Sequence, residues 1–146
     1  MGNILLVRGA RQLLTLRGPG SARRGPALRD LGLIQDGAVL IRDGLIASVG
    51  PSRRVENLSE ARAAREIEAS GRVVMPGFVD SHTHLAAGPL RFTEPEARPE
   101  FVRGLPGSRL LLETRRHLRI HLRHGTTTLE GKSGAAGDET GELKLL

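Results

Sequence analysis

The chain has 146 residues, 38% of them apolar and 26% charged, with a formal charge of +6 and no cysteine. That length fits one domain or two small ones, and the composition is that of a folded globular chain. It excludes a disulfide scaffold and a thiolate metal site, and no apolar run approaches the length needed to cross a bilayer.

The N-terminus shows no charged segment leading into an apolar core and a small-residue cleavage site, so no signal peptide is read there. A cytoplasmic location without a membrane partner is the default expectation. The positive charge is mostly arginine, scattered apart from short clusters at Arg23-Arg24, Arg53-Arg54 and Arg115-Arg116. With no Trp or Tyr and only 3 Phe, stacking platforms for bases are scarce, and nucleic acid is not an expected partner.

Ile4 to Val7 is a short apolar run ended by Gly9, and Gln12 to Leu16 is a second. Residues 17–27, rich in Gly, Pro and Arg, predict a loop. From Leu31 the pattern becomes regular. Apolar runs at Leu31–Ile34, Ala38–Ile41 and Leu45–Val49 are separated by Asp36-Gly37 and Asp43-Gly44. Asp-Gly between apolar runs signals a hairpin, because both turn positions need positive φ. Ser59 is placed to cap a short helix through Arg65. Glu66 to Ala69 predicts one more strand, turned by Ser70-Gly71. Residues 1–72 are therefore expected to form a small β-sandwich domain.

Val73 to Leu85 reads VVMPGFVDSHTHL. A short apolar run broken by Pro76-Gly77 suits a buried strand. Residues two apart in a strand share a side, so His82 and His84 project together while Thr83 faces away. Two imidazoles from one rigid strand end can chelate a divalent metal. By itself, His-x-His is equally consistent with a merely polar strand end.

Residues 86–107 contain Pro89, Pro95, Pro99 and Pro106 and predict a loop. A helix follows, with Ser108 as N-cap, Leu111, Leu118 and Leu122 as its apolar stripe, and Gly125 just past its end. His117 and His121 share a face, but Leu118 occupies the Glu position of a His-Glu-x-x-His zinc protease helix, which excludes that reading. These two histidines and His124 are expected to face solvent, and a cationic His124 would suit the helix C-terminus. Thr126 to Leu129 predicts a second strand, and Asp138 caps another helix. Strand, helix, strand, helix implies a parallel sheet. Sites in such folds gather at the carboxyl ends of strands, which brings His82, His84 and Lys132 to one face. Whether Lys132 faces a site or only polarises its loop stays open.

The segment Pro76-Gly-Phe-Val-Asp80-x-His82-x-His84 resembles the first barrel strand of the amidohydrolase superfamily. Together with Arg91 and with HGTTTLEGKSGAAGDETGELKLL from His124 to Leu146, it resembles the imidazolonepropionase family. Val7-Arg-Gly-Ala10 through Asp43-Gly44 and Val49-Gly50 is similar to that family's small β domain. The resemblance implies an α/β fold with an all-β N-terminal part. A β-sandwich over 1–72 would precede the first strand–helix–strand units of a (β/α)8 TIM-like barrel over 73–146. It implies hydrolysis of a cyclic amide C–N bond, that of 4-imidazolone-5-propanoate to N-formimidoyl-L-glutamate in histidine degradation. It also implies one Zn2+ or Fe3+ ion held by His82 and His84, and Arg91 as the fork for the substrate's propionate. The implied partner is a small-molecule substrate, with homo-oligomerisation left open.

Three departures from the family stand out. Ala135 occupies the place of a Tyr that contacts substrate in the family. The stretch between His84 and the helix is shorter and lacks a glycine-rich run. A complete barrel takes about 250 residues, so the family's later metal-binding His and Asp and its acid/base group are not among these residues. No catalytic acid or base is therefore assigned here, and the chain by itself is expected to be inactive. Ala135 keeps a second reading open, another cyclic amidohydrolase or a deaminase. Unpaired barrel strands keep a third, a non-catalytic chain that pairs with a partner.

Overall fold

The computed structural model describes residues 2–86 and 99–145. They divide into two compact units, Met1–Pro76 and Gly77–Leu146.

In the first unit, β1 (Ile4–Leu14), β2 (Leu33–Arg42), β3 (Leu45–Pro51), β4 (Arg65–Glu68) and β5 (Val73–Val74) form a single five-stranded sheet. Its order is β3-β2-β1-β4, with β5 also on β1. β1 and β2 are antiparallel, whereas β4 and β5 run parallel to β1. The two apolar runs before residue 17 thus form one strand. Gly9 does not end it, because at φ +65° it accommodates a bulge between Val7 and Ala10. Asp36-Gly37 likewise lies inside β2 rather than at a turn, with Asp36 at φ +48°. Asp43-Gly44 is the turn expected of it. Both residues have positive φ, and the Asp43 carboxylate accepts the Asn3 N–H at 2.9 Å.

Alternation along β1 and β2 gives the sheet two apolar faces. Leu6, Ala38 and Leu40 pack with Val55 of α1 (Ser52–Glu56) and with Ala61. Ala61 belongs to a 3-10 turn at Ser59–Ala63, where a longer capped helix was expected; Leu58, not Ser59, stands at its N-terminal boundary. The opposite face gathers Ala10, Leu13, Val39 and Ala69 and carries an apolar cleft of about 260 Å3 bordered by Val7, Val49, Val74 and Met75. At the sheet edge Arg8 pairs with Glu66 at 3.2 Å and with Glu68 at 3.3 Å.

The second unit is built on β6 (Phe78–Thr83) and β7 (Thr126–Gly131), which are parallel. Helices α2 (Pro99–Gly104), α3 (Gly107–Arg123) and α4 (Glu139–Leu145) complete it. Parallel neighbours need a crossover, and α3 supplies it. Gly77 allows the strands to close up: a Cβ there would lie 2.1 Å from Thr127 Oγ1, and the Phe78 N–H donates to the Gly125 carbonyl at 2.8 Å.

Helix α3 begins at Gly107 with Pro106, not Ser108, at its N-cap, and its rotation differs from the expected one. Leu111, Leu118 and Leu122 are 51%, 39% and 64% exposed, while Leu110, Glu113 and His117 are buried. The reason is largely a polar partner far off in the sequence. His117 Nδ1 donates to the Leu85 carbonyl at 2.9 Å, and Leu110 packs on Ala86. Glu113 is paired with Arg109 at 3.1 Å. No helix among the described residues is long and apolar enough to cross a membrane.

Two outcomes follow from these contacts. His117→Ala leaves the Leu85 carbonyl without its donor, and denaturant melting should show a loss of about 1–3 kcal/mol. Leu118→Ala should stay within about 0.5–1 kcal/mol, since Leu118 is part exposed. In the first unit, the Ser70 hydroxyl above all, then the Ser70 N–H and the charge of Arg8, hold the Glu68 carboxyl below its ordinary range. Its stabilising contribution is present at neutral pH and is withdrawn as pH falls through that lowered pKa. Carboxyl-carbon NMR should show the Glu68 midpoint rising toward the ordinary value in Ser70→Ala.

Candidate metal centre

β6 ends at the carboxyl edge of the parallel pair, with His82 near its end and His84 just past it. The His82 and His84 rings lie 5.2 Å apart, centroid to centroid, at an interplanar angle of 70°. The Asp80 carboxylate accepts the His82 N–H at 3.1 Å, a local bond that accompanies the register shift between Asp80 and Thr83. The Thr83 carbonyl accepts the Lys132 N–H at 2.7 Å. His82 is exposed and His84 half-buried.

His84 Nδ1 is enclosed and has no hydrogen-bond partner among the described residues. A buried imidazole nitrogen left unpaired is costly unless something satisfies it. Two imidazoles at this spacing fit part of a ligand set for a borderline cation, for which neutral ring nitrogens are ordinary donors. They do not complete one: no group of three or more His, Asp or Glu is placed to hold a metal among the described residues.

Glu130 and Lys132 leave β7 two residues apart at the same end, and their side chains pair directly. That bond first, then the charge of Lys132 and more weakly that of His82, hold the Glu130 carboxyl below its ordinary range. Glu130 was not singled out from sequence, although its period-two relation to Lys132 was a usable signal. The loop after β7 passes beside His84. Gly134, at φ +102°, is so near that a Cβ on it would sit 3.7 Å from His84 Cε1. Ala135 points the other way, 4% exposed and packed on Val102.

The remaining histidines divide. His117 is buried against Leu85, contrary to the solvent-facing expectation, because a carbonyl there needs a donor. His121 Nδ1 lies 3.9 Å from the Asp80 carboxylate, turning its helix face toward β6 rather than away. His124 is exposed and bonds the Ile120 carbonyl at the C-terminus of α3. Arg91 falls outside the described residues.

Residues 65–105 match the sequence profile of the Amidohydrolase family. The imidazolonepropionase of Solibacter usitatus (strain Ellin6076) is 40% identical over 155 residues, covering 93% of this chain and 37% of that enzyme. The imidazolonepropionase of Chloroflexus aggregans is 38% identical, covering 97% of this chain and again 37% of the relative. The chain thus spans well under half the length of the curated relatives it matches. Among solved structures, A. niger ochratoxinase superposes with a TM-score of 0.65 at 18% identity, over 91% of this chain and 26% of its own. E. coli guanine deaminase does so with a TM-score of 0.62 at 21% identity, over 98% and 32%. At those identities the likeness is one of fold. The sequence relatives carry the assignment further: the chain is an imidazolonepropionase-like member of the amidohydrolase superfamily.

Proposed function

We propose that this chain supplies the first metal-binding strand of a hydrolase that opens a cyclic amide C–N bond, most like an imidazolonepropionase. The observation that carries the reading is the pair of imidazoles at one parallel strand end, their ring centroids 5.2 Å apart. His82 and His84 would hold one Zn2+ or Fe3+ ion. When bound, that ion supplies Lewis acidity toward the ring carbonyl and the attacking water. The chain's own residues then bind and orient. Arg91, by its matching position in the motif, is assigned to the propionate carboxylate, which a guanidinium fork grips bidentately. The Glu130–Lys132 pair offers an acceptor and a donor at the same strand ends. Water and 4-imidazolone-5-propanoate would give N-formimidoyl-L-glutamate.

Two imidazoles fall short of the three protein ligands that catalytic zinc normally takes, so the 146-residue chain is proposed to be inactive alone. The described residues of the first unit form one five-stranded sheet, and the sandwich expected over residues 1–72 would need a second layer over the face of Ala10, Leu13, Val39 and Ala69. Titrating the chain with Zn2+ should move the His82 and His84 ring signals together. His82→Ala or His84→Ala should abolish the response, and no imidazolonepropionate should be hydrolysed. A chain whose rings ignore the metal, or which turns over substrate at enzymatic rates, would contradict the proposal.

The inward packing of Ala135 favours a second reading with a different substrate. The loop offers the site the backbone of Gly134 and no side chain from position 135. A site that lacks a polar contact holds a substrate needing it less well and rejects analogues less sharply. Under this reading another cyclic amide or an amino-substituted heterocycle is processed. A panel of such compounds, assayed on a full-length relative carrying the same Gly-Ala-Ala-Gly loop, decides between them; efficient turnover of imidazolonepropionate excludes the second.

A further inference from the structure

We propose that Glu142 is a positioning residue: its carboxylate fixes the loop after β7 against His84 and so sets one wall of the candidate metal centre. One Glu142 oxygen accepts the N–H of Gly134. The other accepts Ala136 N–H at 2.7 Å and Gly137 N–H at 2.9 Å. Three amides of one irregular loop thus converge on a single side chain. Backbone donors outside regular structure need such an acceptor, and a carboxylate that receives several N–H bonds is strongly favoured as the anion. The Gly134 bond first, then that of Gly137, hold Glu142 below its ordinary range, with Ala136 and Ala135 adding to them.

The loop's carbonyl side is held by a different charge. Arg103 of α2 donates to the Ala136 carbonyl at 3.0 Å and pairs with Asp138 at 3.0 Å. Lys144 donates to the Arg103 carbonyl at 2.9 Å and to that of Leu105. Asp138 accepts the Gly141 N–H at 2.7 Å, which leaves Glu142 as the acceptor for the loop itself. Ala135 and Ala136 are turned inward, 4% and 0% exposed, so the loop cannot swing without withdrawing them from the core. What remains outward is Gly134, beside His84 Cε1. Displacing the Glu142 carboxylate therefore moves the backbone that passes beside the His84 ring. Ligand geometry is sensitive at this scale: a shift of ~1 Å in a supporting group can cost about 100-fold.

Only the consequence for metal binding rests on the function proposed above; the link from Glu142 to the loop and to His84 does not. The test uses the 146-residue chain as wild type, Glu142→Gln and Glu142→Asp, with Glu139→Gln, an exposed residue of the same helix, as control. Amide exchange, the His84 ring Cε1–H signal and Co2+ affinity are measured. Glu142→Gln should raise exchange at Gly134, Ala136 and Gly137 by ~10-fold or more. It should also shift the His84 signal and weaken Co2+ several-fold, while Val79 and Leu129 on the β6–β7 ladder keep their protection. Glu142→Asp should recover part of each change, and Glu139→Gln should alter none. Faster exchange with an unchanged His84 signal would reduce Glu142 to a helix cap, and unchanged exchange would remove it altogether. If Glu142→Gln unfolds the ladder as well, the wild type decides. Lowering pH must move the three amide protons together, with one midpoint below the ordinary glutamate range, and their failure to move overturns the proposal. A wild-type chain that binds no Co2+ would sink the metal reading alone, because the amide and His84 signals still decide the role of Glu142.

Discussion

The candidate centre depends on two strands running the same way, side by side. Parallel pairing of β6 and β7 brings their carboxyl ends to one edge, and the Lys132 N–H donating to the Thr83 carbonyl at 2.7 Å extends the pairing past the last strand residue. Without that register, His82 and His84 would leave one strand while Glu130 and Lys132 left another at a different height. With it, two adjacent imidazoles and a carboxylate–ammonium pair leave the same ends of the two strands. The placement of these side chains is thus inherited from backbone hydrogen bonding.

The helical layer fixes what the strands leave free. Strand ends pass into loops, and a loop carries donors and acceptors with no ladder to satisfy them. Here they are answered from the helices. His117 on α3 serves the Leu85 carbonyl just beyond His84, and Arg103 and Glu142 serve the two polarities of the Gly134–Gly137 loop. This explains why α3 turns Glu113 and His117 inward while several of its leucines stay exposed. An unmet carbonyl in a packed layer costs about 1–3 kcal/mol, comparable to what burying one more leucine contributes.

Signals that depend on short-range sterics were legible in the sequence. The Asp43-Gly44 turn, the closeness of the His82 and His84 rings, and the strand–helix–strand order after Gly77 all agree with local periodicity and turn chemistry. Signals that depend on a distant partner were not. Gly9 looks like a terminator until β4 and β5 are seen continuing along the same strand, and Asp36-Gly37 looks like a turn until β1 runs past it. The facing of α3 was misread for the same reason, since hydrophobic spacing ranks faces by apolarity and cannot see the Leu85 carbonyl. Ala135 and Glu142 belong to a loop whose conformation is set by side chains from other elements, so no short window of sequence contained the answer.

The contact between Gly77 and Thr127 also bears on how such a chain can change over time. The threonine occupies the volume that any side chain at 77 would need, with its Oγ1 only 2.1 Å from that point. The two positions therefore cannot drift independently. Trimming the threonine to alanine would not free position 77, because the Thr127 Cβ already lies 2.7 Å from that point. Position 77 is thus held to glycine for as long as its neighbour carries a Cβ and the two strands keep their spacing.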